Sequence, residues 1–141
     1  MPTDISQLSD LLDLLFDQEV EFEPNPQRQK SALKTLLYNS QLGDIFVASD
    51  NSRVIAMVSL LYTVSTSLGG RVAILEDMIV SPEYRQKGMG SDLIAYAIEH
   101  AQQIGCKRIT LLTDEDNKVG QGFYEKHGFE RSSMVAYRKL L

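Results

Sequence analysis

The chain has 141 residues, 43% of them hydrophobic and 23% charged, which is the make-up of one ordinary globular domain large enough to bury a core of its own. A formal net charge of -5 argues against a general nucleic-acid binder, whose affinity rests on basic surface, and leaves a cationic substrate open. Cys106 stands alone and forms no internal disulfide, no apolar run approaches the roughly 20 residues of a membrane span, and Met1–Asp4 lack the basic and apolar regions of a signal peptide, so the expectation is a soluble, cytoplasmic protein with no nucleic-acid or membrane partner.

Thr3 or Asp4 can cap a first helix, in which Leu8, Leu11, Leu12 and Leu15 follow helical spacing to about Phe16. An acidic stretch carrying Glu19, Glu21 and Glu23 closes at Pro24. Asn25-Pro26 is a cap followed by proline at the first helical position, and Leu33, Leu36 and Leu37 give that second helix its apolar face up to Gly43. Asp44 to Ser49 reads as a strand, Asp50-Asn51-Ser52 as a turn, and Arg53 to Thr63 as the second arm of a hairpin. Ser67-Leu68-Gly69-Gly70 turns the chain again into a long third strand, Arg71 to Val80, which completes an antiparallel meander. A helix from near Gly90 to Gly105, with Leu93, Ile94, Ala97, Ile98 and Ala101 on one stripe, leads to a strand over Lys107 to Thr113. Strand, helix and strand in about thirty residues make a βαβ unit with parallel strands and a right-handed crossover. A short helix over Val119 to His127 ends at Gly128, and Phe129 to Leu141 can supply one or two final strands.

The stretch Ser81-Pro82-Glu83-Tyr84-Arg85-Gln86-Lys87-Gly88-Met89-Gly90 joins the long strand to that helix. Two glycines at a helix start suit a ligand that comes close to the backbone, and free N–H groups there form an anion site. A P-loop needs G-x-x-x-x-G-K-[ST], which does not occur, and in a G-x-G-x-x-G fingerprint the third glycine would fall on Leu93. A plain strand-to-helix turn is the bland alternative.

Arg85-Gln86-Lys87-Gly88-Met89-Gly90 resembles the acyl-CoA loop, R/Q-x-x-G-x-G/A, of the GNAT acetyltransferase superfamily. The strand Leu75-Glu76-Asp77-Met78-Ile79-Val80 precedes it as in that family, and Asn117, Gly120, Phe123-Tyr124 and Gly128-Phe129 follow in the family's order. These motifs cover Leu75 to Phe129, and the order of elements matches most of the chain. Two departures stand out: few residues precede Leu8, where the family opens with a strand, and Gly120 stands where alanine is common.

The resemblance implies a single α/β domain with a mixed, mainly antiparallel sheet flanked by helices on both faces. It implies acetyl-CoA as acyl donor and an amine acceptor, with a homodimer as a further family feature. The backbone of Met78, Ile79 and Val80 would pair with the pantetheine arm, admitted by a splay between the strands on either side. N–H groups from Gln86, Lys87, Gly88, Met89, Gly90 and Ser91 would hold the pyrophosphate, with charge from Arg85 and Lys87. Asn117 would bind a pantetheine amide, or else simply cap a turn or helix. Tyr124 is the expected acid for the leaving thiolate, the N–H of Met78 or Ile79 the oxyanion donor, and Glu76 the base or a cation-binding group. Asp77 would face away from Glu76 unless a bulge breaks the alternation. Cys106, His100 and His127 read as structural residues, and no cluster has metal-ligand spacing. The acidic segment Glu19, Glu21, Glu23 either lines the acceptor site or is a solvated loop. A small-molecule amine is the first reading of the acceptor and a protein amino group the second. A non-catalytic acyl-CoA-binding regulatory module is the alternative of another class.

Overall fold

The computed structural model describes residues 5–18 and 25–141. Helices α1 (Ile5–Gln18) and α2 (Pro26–Leu37) come first, then strands β1 (Gly43–Asp50), β2 (Arg53–Ser65) and β3 (Gly70–Val80), helix α3 (Met89–Gln103), strand β4 (Ile109–Leu111) and helix α4 (Lys118–Lys126). The strands form one sheet in the order β1-β2-β3-β4. β1–β2 and β2–β3 are antiparallel, and β3–β4 is parallel through the α3 crossover. The mixed, mainly antiparallel sheet is as expected.

Alternation along the strands sends side chains to two separate cores. On one face Ala56, Val58, Leu60, Ala73 and Leu75 pack against Leu93, Ile94, Ala97 and Ala101 of α3, with Phe123 and Tyr124 of α4 at the margin. On the other, Val54, Met57 and Ile79 pack against Ile5, Leu8, Leu11 and Leu12 of α1 and Leu33 of α2. Helices therefore cover both faces, α3 and α4 on one and α1 and α2 on the other. Each fully buried Leu or Ile contributes about 1.5–3 kcal/mol.

Polar ties fix how the helices sit. Asn25 Oδ1 accepts the Arg28 N–H at 3.2 Å and caps α2. Buried Gln29 then donates from Nε2 to the Ser9 carbonyl and to Asp13 Oδ1, each at 3.0 Å, which locks α2 to α1. On the opposite face Asp44 Oδ2 accepts the Tyr62 hydroxyl at 2.6 Å and lies 3.2 Å from His100 Nε2, joining β1, β2 and the end of α3. Burial and that carboxylate push the Tyr62 phenol well above its ordinary value.

Two expectations fail at the C-terminal side. β4 is three residues long, Ile109–Leu111, rather than spanning Lys107 to Thr113. The expected final strands are not formed: residues 130–141 carry neither helix nor strand, and Met134, Val135, Tyr137, Leu140 and Leu141 are exposed. So short a β4 offers few ladder positions to a further strand, and the Met134 N–H bonds Ser132 Oγ at 3.1 Å, a local bond that competes with strand pairing. The expected caps Thr3 and Asp4 lie outside the described residues.

Ile94, fully buried between α3 and the sheet, is the test of the larger core. Ile94→Ala should cost about 2–5 kcal/mol in urea unfolding, and a smaller loss would mean that α3 packs loosely.

Candidate active site

β3 changes character at Glu76. Its parallel ladder with β4 pairs Ala73 with Ile109, Ile74 with Thr110 and Leu75 with Leu111, and stops there. Its antiparallel ladder with β2 continues to Val80, with a break: Ser59 faces Glu76, but Met57 already faces Ile79. Asp77 and Met78 thus stand opposite Val58 alone, a bulge on β3, and Asp77 takes φ 55° in the left-handed region. The ladder between the two strands on either side of the expected cleft ends at Leu75.

The bulge resets the alternation. Leu75 faces α3, as do Met78 and Val80 after the bulge, whereas Ile79 joins the α1/α2 core. Unbroken alternation would have put Ile79 with Leu75. Glu76, paired with Ser59, lies on the α1/α2 face and is exposed. Its carboxylate has no hydrogen bond or ion pair among the described residues.

The segment after β3 forms a short 3-10 turn, Pro82–Tyr84, and then the start of α3. Gly88 is the N-cap with φ 79°, a conformation that a side chain strains, and a Cβ added there would meet open space. Gln86 adopts φ 64° at the same strain without being glycine. Gly90 serves a different purpose: a Cβ there would lie 3.3 Å from Met78 Cε, 3.5 Å from Val80 Cγ2 and 3.6 Å from Phe123 Cζ. The start of α3, the end of β3 and α4 therefore meet at Gly90. The N–H groups of Gly88, Met89, Gly90 and Ser91 have no partner within the helix by its geometry, which makes an anion-binding end.

The cationic side chains of the loop have local roles. Arg85 donates from Nε to the Val80 carbonyl at 3.0 Å, bracing the end of β3. The Lys87 ammonium sits 5.6 Å from the centre of the Tyr84 ring. Ser91 Oγ lies 3.1 Å from His127 Nε2, which ties α4 to α3. Asn117 is the N-cap of α4, accepting the Gly120 N–H at 3.0 Å, while its Nδ2 donates to Thr113 Oγ1 at 3.2 Å. Tyr124 stands half-buried on α4, its ring edge-on to Phe123 and Phe129.

Sequence reasoning placed these residues on the right elements, left a bulge near Asp77 open, and missed two features, Gln86 and Ser59. The bulge at Asp77 had a signal in the apolar residues themselves, since Leu75, Met78 and Val80 do not keep one parity. Gln86 gave none, because its φ is imposed by the loop. Ser59, one hydroxyl inside the apolar run Val54 to Leu61, was passed over. The acidic residues Glu19, Glu21 and Glu23 lie outside the described residues. Burial pushes the Cys106 thiol up, which makes it a poor nucleophile. Among the described residues no His, Cys, Asp and Glu group could hold a metal ion, and no helix is long and apolar enough to cross a membrane.

Comparison with known proteins decides what this cleft belongs to. The model of the acetyltransferase (GNAT) family matches residues 8–129. The chain belongs to that family. The general chemistry of this GNAT protein is accordingly acetyl-CoA-dependent acetyl transfer to an amine. It is similar to an uncharacterized N-acetyltransferase, YhfO, of Bacillus subtilis, at 34% identity over 84% of this chain and 81% of the relative. An aminoglycoside N(6')-acetyltransferase type 1 of Acinetobacter baumannii is 30% identical over 99% of this chain and 95% of its own. Among solved structures, a putative acetyltransferase from Agrobacterium tumefaciens superposes with TM-score 0.84 at 25% identity, covering 99% of this chain and 96% of the other.

Burial, with help from Lys126, holds the His127 imidazole below its ordinary value. Its folded value lies below the unfolded one of about 6.5, so the linked stability is present above that pH and is lost as pH falls through the folded value. An NMR titration of the two histidines should therefore give His127 a midpoint below about 6.5. A midpoint at or above it would mean that the imidazole meets Ser91 as a cation.

Proposed function

We propose that this GNAT protein transfers acetyl from acetyl-CoA to a primary amine of a small molecule, by direct attack within a ternary complex. The observation that carries this reading is the end of the β3–β4 ladder at Leu75, beside the helix end at Gly88. A thioester placed there has backbone on one side, an anion site at the far end of its carrier, and a carboxylate across the sheet.

In this reading the backbone of Met78, Ile79 and Val80 pairs with the pantetheine arm as a further strand would. The N–H groups from Gln86 to Ser91 donate to the pyrophosphate, with Lys87 adding charge. Arg85 braces Val80 through Nε and turns its remaining guanidinium N–H groups toward the phosphates. Asn117 holds the start of α4 and offers an amide to the pantetheine.

The amine must lose its proton to attack. Glu76, directly or through a water, takes that proton as the nitrogen closes on the thioester carbon. The N–H of Met78 or Ile79 donates to the oxyanion as the carbonyl becomes tetrahedral. The C–S bond then breaks, and the Tyr124 phenol gives its proton to the departing thiolate. Solvent restores both groups: the tyrosinate regains a proton and Glu76 releases one.

A small-molecule acceptor is preferred because the related Acinetobacter baumannii enzyme, matched over nearly the whole of both chains, is named for an aminoglycoside. The test is calorimetric titration of acetyl-CoA, followed by thiol release on adding a pool of aminoglycosides, amino sugar phosphates, polyamines and lysine analogues. Micromolar binding with amine-dependent release is expected. Binding without release from the pool, or from a peptide library carrying free amino groups, would instead favour a non-catalytic acyl-CoA-binding module.

Two substitution experiments separate the parts. Tyr124→Phe and Glu76→Gln should each lower kcat about a hundredfold or more while leaving acetyl-CoA affinity intact. If both variants turned over normally with every acceptor, the acid and base assignments would be wrong. Gly88→Val should weaken acetyl-CoA binding at least about tenfold, since the added methyls occupy the approach of the phosphates to the helix end. Unchanged affinity would remove the loop from the cofactor site.

A further inference from the structure

Ser59 is fully buried in β2, and its Oγ has no hydrogen-bond partner among the described residues. Buried hydroxyls almost always find a partner, so one that lacks it calls for an explanation. Directly across the ladder stands Glu76. Residues paired in this way point to the same face, with Cβ atoms about 4.5–5.5 Å apart. Met57 and Ile79 on one side of the pair, Leu61 and Ile74 on the other, surround it with apolar side chains on the α1/α2 face. The position thus opposes a donor without an acceptor to a carboxylate that also lacks a partner among the described residues.

We infer that Ser59 is a positioning residue for Glu76: its hydroxyl donates to the carboxylate when Glu76 turns in from solvent to meet the acceptor amine. This inference rests on the reading of Glu76 as the base. The bond leaves the second carboxylate oxygen directed at the amine and favours the ionised form that accepts a proton. It also gives the unpaired hydroxyl a reason to persist, because a hydrophobic strand would be more stable with alanine there. Stability surrendered at one buried position is a common signature of a residue kept for activity.

That argument makes Ser59→Ala informative in two readouts at once. The variant should melt at or above the temperature of the parent. With acetyl-CoA and the best amine of the pool, its kcat should fall about tenfold, the loss of one hydrogen bond to a charged group, while the KM for acetyl-CoA stays unchanged. In a Glu76→Gln background the same substitution should cost less than about twofold, since coupled residues do not add. A kcat equal to the parent's would overturn the inference and leave acetyl transfer intact, with Ser59 an unpaired core hydroxyl. Equal losses in both backgrounds would overturn it too, whatever the melting temperature, because they mark a structural effect unconnected with Glu76. A Glu76→Gln variant as active as the parent would remove the base assignment and this inference together. Failure of the unmodified protein to acetylate any amine would remove the transfer reading as well.

Discussion

Backbone N–H and C=O groups in a sheet need partners, and β3 satisfies them on two edges only as far as Leu75. From Glu76 to Val80 it keeps its ladder to β2 and has none to β4. The site depends on this asymmetry. A strand held firmly on one edge presents the other in fixed register, and a ligand that carries amides along an extended arm can complete it without moving the sheet. The bulge at Asp77 falls at the point where the second ladder ends. By adding one residue it turns Met78 and Val80 toward α3, where both meet the ideal Cβ position of Gly90. Glu76, just before the extra residue, still follows the regular alternation and stays on the face of α1 and α2. One local irregularity thus puts Met78 and Val80 on the face opposite to Glu76.

The two glycines of the loop divide the labour at the far end of that arm. Gly88 is required for its backbone angle and Gly90 for the room it leaves between β3 and α4. A side chain at Gly90 would press on the end of Met78 and come into contact with Phe123 of α4, the helix that carries Tyr124. The loop and α4 are linked through Phe123, the aromatic residue that touches this gap. The His127–Ser91 bond secures the same pairing from the other end of α4. These contacts place the pieces of the cleft on rigid elements rather than on free loops.

Much of this could be read from the sequence because each element obeyed its local chemistry. The stripe of Leu93, Ile94, Ala97 and Ala101 has one period and one face, and α3 forms where that stripe lies. Asn25-Pro26 is a start signal with few alternative meanings, and α2 begins there. The motif from Arg85 to Gly90 located the helix end. Alternation alone could not locate the faces of β3, since a bulge depends on what the partner strand does, and one strand's sequence shows that only in part. The final strands failed for a related reason. Residues 129–141 have strand-like composition, but pairing needs a neighbouring edge of adequate length, and β4 supplies only Ile109–Leu111. Strand propensity reports fitness for a sheet environment and does not create one.

Ser59 went unnoticed because a single serine in an apolar strand carries no pattern. Its meaning appears only from the register, which sets it across from Glu76. A base on an open sheet surface faces a difficulty that a buried base does not: its carboxylate has many rotamers, and only a few direct an oxygen at the amine. In the proposed mechanism a fixed donor one strand away narrows that choice without burying the charge, and exposed Glu76 would keep access to solvent for releasing its proton. The bulge matters here as well. It follows Glu76 rather than preceding it, so the Ser59–Glu76 pairing belongs to the regular part of the ladder and inherits its rigidity, while the irregular residues beyond stand where the proposed thioester would lie.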